Sequence, residues 1–238
     1  MIDSKIIAHR FGSGDRPEST AAALKNAVAT GVTWVEFDAS LLGDGNVIVF
    51  HDDRFDRCTD KTGRLIEANL DDVKKMDAGS WFDPIYKGER ILELKEALTL
   101  LESNRLNINL ELKVNGNEAQ QLVDTVYKIV TQTRYTPQNL LYSSFSHEAL
   151  QHLRHLDPQA KIGYLFEALP ENWLQQARAV QAATIHGCVD HFDEKSIHHV
   201  KKAGYPLYLY TVNKIEQAEQ LFEQGVDAIF TDFPRLFL

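Results

Sequence analysis

Four apolar, strand-like segments of the sequence end in charged or imidazole side chains. Such groups are costly to bury unless they are paired or bound to a metal ion. These positions are therefore the first candidates for chemistry. They are His9-Arg10, Glu36-Phe37-Asp38, His51-Asp52 and Glu111-Leu112-Lys113.

The acidic members of this set suit a divalent cation. Glu36 and Asp38 are two residues apart on one predicted strand, so their side chains share a face. Glu111 falls at the corresponding end of the neighbouring strand. Three carboxylates without a cysteine ligand favour Mg²⁺ or Ca²⁺ over structural zinc. The alternative, preferred for any one acid alone, is that it faces solvent or pairs with Lys113 or Arg10.

His9 and His51 are the candidate general acid and base. Imidazole changes charge near neutral pH, so one ring can accept a proton while the other donates one. Arg10 and Lys113 suit a bound phosphate, Arg10 through its forked donors and Lys113 as a point charge. The metal ion would neutralise the phosphoryl oxygens. Together with two histidines and two basic side chains, it predicts a site for phosphate-ester transfer.

Other residues give weaker signals. Aromatic side chains could form an apolar wall of the substrate pocket, although core packing is the better explanation for any one of them alone. They are Phe11, Trp81, Phe82, Phe145 and Tyr210. The sequence has no P-loop, GxGxxG, GxSxG or HExxH motif, which excludes the common nucleotide, serine-hydrolase and zinc-protease signatures.

The elements that must position these residues alternate along the chain. Nine strand-like segments are interspersed with seven helix candidates, the first of them Pro17–Thr30. Alternation of this kind predicts a parallel sheet with crossover helices. One strand is an exception, because only eight residues separate Asp38 from Val47 and they include the turn sequence Asp44-Gly45. A crossover needs more residues, so Val47–His51 should run back antiparallel.

Eight forward strands remain, which predicts a (β/α)8 TIM barrel with a hairpin after strand 2. A turn centred between Asp44 and Gly45 would pair position 51 with position 38 and place His51 level with Asp38. Barrel enzymes keep their chemistry at this end of the strands. Residues 52–90 fit no βα unit and predict a small inserted lobe, so that residues 1–238 form one barrel domain.

The composition excludes several classes of protein. The chain has 238 residues, 44% of them apolar and 25% charged, which excludes wholesale disorder. Its net charge of −9 argues against nucleic acid or an anionic membrane as the main partner. The two cysteines lie far apart in the sequence, which fits a reducing compartment. The sequence has no apolar run of membrane-spanning length and no recognisable signal peptide. We therefore expect a cytoplasmic protein without stable membrane association.

The chemical residues lie within a longer pattern that is collinear with a known family. The chain resembles the glycerophosphodiester phosphodiesterases of the cytoplasmic bacterial type. The segments that carry the resemblance are His9-Arg10, Pro17-Glu18-Ser19-Thr20, Glu36-Phe37-Asp38, Asp44-Gly45, His51-Asp52, Leu110-Glu111-Leu112-Lys113, Ser143-Ser144-Phe145, Thr211-Val212-Asn213 and Gly225-Val226-Asp227 to Thr231-Asp232.

The resemblance implies a (β/α)8 barrel with an inserted lobe that hydrolyses small-molecule glycerophosphodiesters to sn-glycerol 3-phosphate and an alcohol, using Mg²⁺ or Ca²⁺. The matched positions imply a metal site, a catalytic pair and two phosphate contacts. They are, in that order, Glu36, Asp38 and Glu111; His9 and His51; and Arg10 and Lys113. By analogy, the substrate's 2-hydroxyl attacks phosphorus while His9 accepts its proton and His51 protonates the departing alcohol. Water then opens a cyclic phosphate.

The sequence departs from the family pattern at three positions outside the metal and histidine set. Phe11 stands where glycine is usual, Ser19 where asparagine is usual and Tyr210 where tryptophan is common. The bulk of Phe11 would narrow the loop beside the phosphate or add an apolar contact. Two other functions stay open: a lysophospholipase D-like enzyme of the same fold, and a non-catalytic barrel that binds phosphate esters.

Overall fold

The computed structural model describes residues 3–238, and within them nine strands form one sheet. The strands are β1 (Ile6–Ala8), β2 (Trp34–Leu41), β3 (Val47–Val49), β4 (Asn107–Lys113), β5 (Leu140–Ser144), β6 (Ile162–Phe166), β7 (Thr184–Cys188), β8 (Leu207–Tyr210) and β9 (Ala228–Thr231). All except β3 pair in parallel, and β1 pairs with both β2 and β9. The sheet is therefore closed, which confirms the predicted (β/α)8 barrel.

The helices occupy the crossovers between the barrel strands, apart from one short helix in the inserted segment. They are α1 (Ala21–Thr30), α2 (Leu70–Val73), α3 (Leu94–Ser103), α4 (Ala119–Val130), α5 (His147–Leu156), α6 (Trp173–Ala179), α7 (Glu194–Lys202) and α8 (Ile215–Glu223). Among the described residues, no helix is long and apolar enough to cross a membrane.

The start of α1 differs from the prediction. The helix begins at Ala21 and not at Pro17, because the Thr20 hydroxyl caps it by accepting a hydrogen bond from the backbone N–H of Ala23. Ser19 has a left-handed φ of 60°, which interrupts any helix through this position. The segment before the cap is therefore a loop, and Glu18 lies on it.

The predicted hairpin is present, but its register is one residue from the prediction. Ala39 pairs with Val49, and the backbone N–H of Phe50 donates to the carbonyl of Asp38 at 3.0 Å. Phe50, rather than His51, therefore lies opposite Asp38. The reason is a three-residue loop, Gly43 to Gly45, in which Gly45 adopts a left-handed φ of 86°.

Residues 52–90, called the lobe below, pack around their own apolar centre. Its buried residues come from the lobe, from the hairpin and from Ile91, so the lobe rests on the hairpin. They are Leu42, Ile48, Phe50, Phe55, Cys58, Leu65, Val73, Met76, Ala78 and Ile91. The larger core lies between the barrel and its helices. A further set of buried residues fills the barrel interior: Ile7, Trp34, Leu141, Tyr208, Ala228 and Phe230.

Candidate active site

Three buried acids lie together at the carboxyl ends of β2 and β4. Glu36 and Asp38 share one face of β2, and Asp38 pairs in register with Glu111. One carboxylate oxygen of each lies within 4.8 Å of the others. Both oxygens of Asp38 are buried and accept no hydrogen bond from the described residues. A hard divalent cation needs several oxygen ligands, and the three acids supply them. The Asp38 oxygens, which accept no hydrogen bond within the described part of the chain, are free to bind such a cation, so these residues fit the predicted metal.

The electrostatics of the acids show the effect of crowding. Burial raises the pKa of Glu36 well above its usual value, and the nearby Asp38 and Glu111 raise it further. Burial also raises the pKa of Glu111, to about 7, although Lys113 opposes this. For Asp38, burial acts in the same direction, but Lys113, His51 and Arg10 outweigh it and lower the pKa. A bound divalent cation would favour the ionised form of all three.

Two cations stand beside these acids. Lys113 Nζ lies 3.0 Å from Glu111 Oε1 and 3.5 Å from Asp38 Oδ1. Arg10 Nε lies 3.8 Å from Asp38 Oδ2. The backbone N–H of Arg10 also donates to Glu36 Oε2 at 3.0 Å. Both side chains therefore border the acid trio and can meet an anionic ligand there.

His9 follows β1 in a short 3-10 turn, His9–Phe11. Its Nδ1 donates to Asp232 Oδ1 at 2.7 Å, and its Nε2 lies 3.9 Å from Glu36 Oε2. Asp232 also accepts from Ser13 Oγ at 2.6 Å and from Asn213 Nδ2 at 2.7 Å. Burial opposes ionisation of Asp232, but these donors lower its pKa overall. The carboxylate thus orients the ring and leaves Nε2 available towards the acids.

His51 is held by a neighbouring carboxylate in the same way as His9. Its Nδ1 donates to Asp52 Oδ1 at 2.7 Å, which leaves Nε2 available. Burial lowers the pKa of His51, the nearby Lys113 and Arg10 add to this, and Asp38 opposes it. Burial would raise the pKa of Asp52, but hydrogen bonds from Arg57 and His51 bring it down to about 2.

These groups border one cavity of about 180 Å³. Its lining comes from all eight barrel strands or the residues that follow these strands and β3: His9, Arg10, Glu36, His51, Asn109, Glu111, Lys113, Ser143, Phe145, Leu165, His186, Tyr210, Thr211 and Phe230. The two candidate catalytic histidines, two of the candidate metal ligands and both candidate phosphate contacts thus meet at one space. Asp38, with 1% of its surface exposed, is outside the lining but forms ion pairs with the lining residues Arg10 and Lys113.

The aromatic candidates divide into two groups. Phe145 and Tyr210 line the cavity, with their ring centroids 6.1 Å apart. Trp81 lies in the lobe outside the lining, where it packs against Phe82. Phe11 is fully buried and packs against Phe37 at 5.3 Å between ring centroids, so it makes an apolar contact, as one alternative expected, but does not line the cavity. Its left-handed φ of 66° is one that glycine adopts more readily.

Several residues of the site lie outside the candidates that the sequence suggested. Asp232 directly follows β9, so the rule that selected the other strand-end charges could have found it. Glu18 follows no strand, and its signal was its place in the family segment Pro17-Glu18-Ser19-Thr20; Arg57 carries neither signal. Asn109 and His186 point into the barrel from strand interiors, where a polar residue is hard to distinguish from a satisfied core residue.

Comparison with known proteins agrees with this geometry. Residues 9–236 match the model of the glycerophosphoryl diester phosphodiesterase family. A glycerophosphodiester phosphodiesterase of Caldanaerobacter subterraneus is 32% identical over 234 residues, which are 98% of this chain and 96% of that protein. A glycerophosphodiester phosphodiesterase of Bacillus subtilis is 29% identical over 97% of this chain and 84% of its own length.

Solved structures agree with the sequence comparisons. An Oleispira antarctica phosphodiesterase, solved in complex with the product sn-glycerol-3-phosphate, superposes with a TM-score of 0.94 and 35% identity, covering 98% of this chain and 94% of that one. An extensive fold match, a whole-chain family match and a strand-end site of acids and histidines all agree. The chain therefore belongs to the glycerophosphodiester phosphodiesterase family and is a phosphoric diester hydrolase.

Proposed function

We propose that this protein hydrolyses glycerophosphodiesters to sn-glycerol 3-phosphate and an alcohol, with a divalent cation and two histidines as acid and base. One observation supports this most directly. His9 and His51 border the same cavity, and each has its Nδ1 bound to a carboxylate at 2.7 Å. Each ring therefore has Nε2 left for proton transfer. The solved Oleispira relative that holds sn-glycerol-3-phosphate supports the choice of product.

The cation would be held by Glu36, Asp38 and Glu111. When bound, it supplies charge neutralisation for the phosphoryl oxygens, and Mg²⁺ and Ca²⁺ both suit an all-carboxylate site. Arg10 and Lys113 border the same space and would bind the remaining phosphate charge. The side chains of Arg10 and Lys113 are in place before the reaction begins, so they need not move as negative charge develops on the phosphate.

The histidines would carry the protons in two steps. In the first, the glycerol 2-hydroxyl forms a bond to phosphorus, His9 Nε2 takes its proton, and the bond from phosphorus to the departing alcohol breaks. His51 Nε2 gives that alcohol oxygen a proton. In the second step, water opens the five-membered cyclic phosphate with the two proton transfers reversed, which yields sn-glycerol 3-phosphate and restores both histidines.

A matrix of metals and substrates tests this function. Protein treated with EDTA is assayed with no metal, Mg²⁺ or Ca²⁺ on glycerophosphocholine, glycerophosphoethanolamine and glycerophosphoglycerol, with release of glycerol 3-phosphate as the readout. We expect chelation to abolish turnover and one of the cations to restore it. Unchanged rates after complete chelation would refute the metal requirement.

Two further arms separate the alternatives. Faster release of choline from lysophosphatidylcholine than from glycerophosphocholine would identify a lysophospholipase D-like enzyme. Binding of glycerol 3-phosphate by calorimetry, without release of alcohol from any diester, would identify a non-catalytic binding barrel.

A further inference from the structure

The guanidinium of Arg57 lies between two carboxylates. Its Nε and Nη2 donate to Asp52 at 2.7 and 2.8 Å. Its Nη1 and Nη2 donate to Glu18 at 2.7 and 2.9 Å. These four short contacts use two donor edges of the planar guanidinium, which is the geometry that makes an arginine–carboxylate contact specific in direction.

Each of these carboxylates also holds a residue of the cavity. Asp52 Oδ1, which accepts from Arg57, accepts from His51 Nδ1 at 2.7 Å. Glu18 Oε1, which accepts from Arg57, accepts from Arg10 Nη1 at 3.0 Å. One continuous chain of charged hydrogen bonds therefore connects a candidate acid–base histidine to a candidate phosphate contact, with Arg57 at its centre.

The backbone of Arg57 is held by the lobe. Its neighbours in sequence, Phe55 and Cys58, are 1% and 3% exposed and belong to the apolar centre of the lobe. Glu18 lies on the loop before α1, on the barrel. Arg57 is thus the point at which the packing of the lobe is connected to the orientation of two side chains in the cavity.

We propose that Arg57 is a positioning residue, through which the lobe holds His51 and Arg10 in the relative orientation that turnover requires. This rests on the proposed function of those two residues. Arg57 lies outside the cavity lining, so it acts through Asp52 and Glu18 and not by touching the substrate.

A purely structural role for these ion pairs makes a different prediction. The Arg57 side chain is 44% exposed but its partner Glu18 is only 10% exposed, so these bidentate ion pairs can also contribute to stability. If Arg57 positions the site, its loss should cost much more in turnover than in unfolding. If it only attaches the lobe, turnover should fall no further than the folded fraction does.

The test compares four single variants on glycerophosphocholine with Mg²⁺. Asp52→Asn weakens the His51 arm directly and should mainly lower kcat. Glu18→Gln weakens the Arg10 arm directly and should mainly raise KM. Arg57→Gln weakens both arms, so kcat should fall and KM should rise, with kcat/KM lower by about 10²-fold. Arg54→Gln is the matched control, since Arg54 lies three residues away and pairs at 3.2 Å with the exposed Asp56.

A double variant adds a test that a structural role would not pass. Asp52 and Arg57 act on His51 as one unit, so the kcat of Arg57→Gln/Asp52→Asn should be close to that of the slower single variant. Losses that multiply would overturn the proposal. So would wild-type kcat and KM in Arg57→Gln, or equal losses in Arg54→Gln.

An NMR readout keeps this proposal separate from the proposed function. The Nδ1 proton of His51 should give a downfield resonance that is missing in His51→Ala. In Arg57→Gln we expect it to exchange with water at least about tenfold faster, because Asp52 is no longer held. An unchanged exchange rate would overturn the positioning role. Absence of diester turnover in the wild type, with this resonance still sensitive to Arg57, would refute the proposed function alone.

Discussion

At the scale of single residues, the two catalytic candidates are held in the same way by carboxylates in different surroundings. His9 is bound to Asp232, whose other donors are the neutral groups of Ser13 and Asn213. His51 is bound to Asp52, whose charge is matched by Arg57. In both cases a carboxylate that accepts from Nδ1 orients the imidazole ring that borders the cavity.

Truncation of either histidine should remove turnover and leave the fold intact. Each ring is partly exposed, at 17% and 29%, so His9→Ala and His51→Ala should cost little stability. Loss of an acid or base lowers rates by about 10²–10⁴-fold. Steady-state rates and thermal unfolding check this, with His152→Ala on α5, bound to Asp124, as the control. Full activity in either variant would refute its acid–base role.

Asp232 makes a separate prediction, because it sets which nitrogen of His9 carries the proton. Asp232→Asn keeps the shape but can present its amide N–H to His9 Nδ1 and so favour the wrong tautomer. We expect kcat to fall on the order of 10²-fold or more, with a smaller change in KM. The measurement is kcat and KM on one diester at fixed metal concentration. A wild-type kcat would show that Asp232 has no orienting role.

At the scale of elements, the hairpin between β2 and β3 determines where the lobe is attached. The N–H of Gly43 donates to the carbonyl of Ala68 at 3.0 Å. A Cβ at Gly43 would lie 2.3 Å from the carbonyl oxygen of Ile66. The loop therefore tolerates only glycine at this contact, since the clashing atom belongs to the backbone of the lobe.

Gly43→Ala should destabilise the protein by about 1–3 kcal/mol, because a backbone must move to admit the methyl group. Gly116→Ala is a matched control: its Cβ would meet, at 2.9 Å, only the carboxylate end of the Glu118 side chain, which can rotate away. Denaturant unfolding of both variants gives the two free energies. Equal values would mean that the hairpin and lobe do not pack as closely as described.

At the scale of the whole molecule, the acid trio makes stability depend on both pH and metal. In the metal-free folded state, burial raises the pKa of Glu111 from 4.5 to about 7. As pH rises between these values, the unfolded chain loses the Glu111 proton before the folded protein does. The unfolded state then binds fewer protons, so this group lowers stability as pH rises.

The corresponding measurement is thermal unfolding in EDTA from about pH 5 to about pH 8, with Glu111→Gln as the reference. The Tm of the wild type should fall relative to that of the variant as pH rises from about 5 to about 7, and the difference should level off above about 7. Saturating Mg²⁺ or Ca²⁺ should raise the wild-type Tm most at the upper end, since the cation binds the ionised acids. A Tm difference that does not change with pH would contradict the described burial of Glu111.

The sequence by itself determined the alternation of elements and indicated the candidate residues for the chemistry. Charged residues at strand ends, spaced two apart, share a face whatever the rest of the chain does, so Glu36 and Asp38 could be paired in advance. The number of residues between Asp38 and Val47 excluded a crossover and so predicted the hairpin. The charge and donor geometry of Arg10 and Lys113 indicated phosphate contacts, and the family motifs implied the same roles, which remain proposals here.

The tertiary structure decided the register of the β2–β3 hairpin and the hydrogen-bond partners of the site residues. The position opposite Asp38 depends on how many residues the hairpin loop contains, and a loop of three moved it from His51 to Phe50. His9 and Asp232 are 223 residues apart and meet only because β9 closes the barrel against β1. Arg57 lies in the lobe and follows no strand, so its contacts with Asp52 and Glu18 appear only in the folded protein. Local patterns specify side chains and their spacing, but contacts between distant segments depend on the packing of the whole chain.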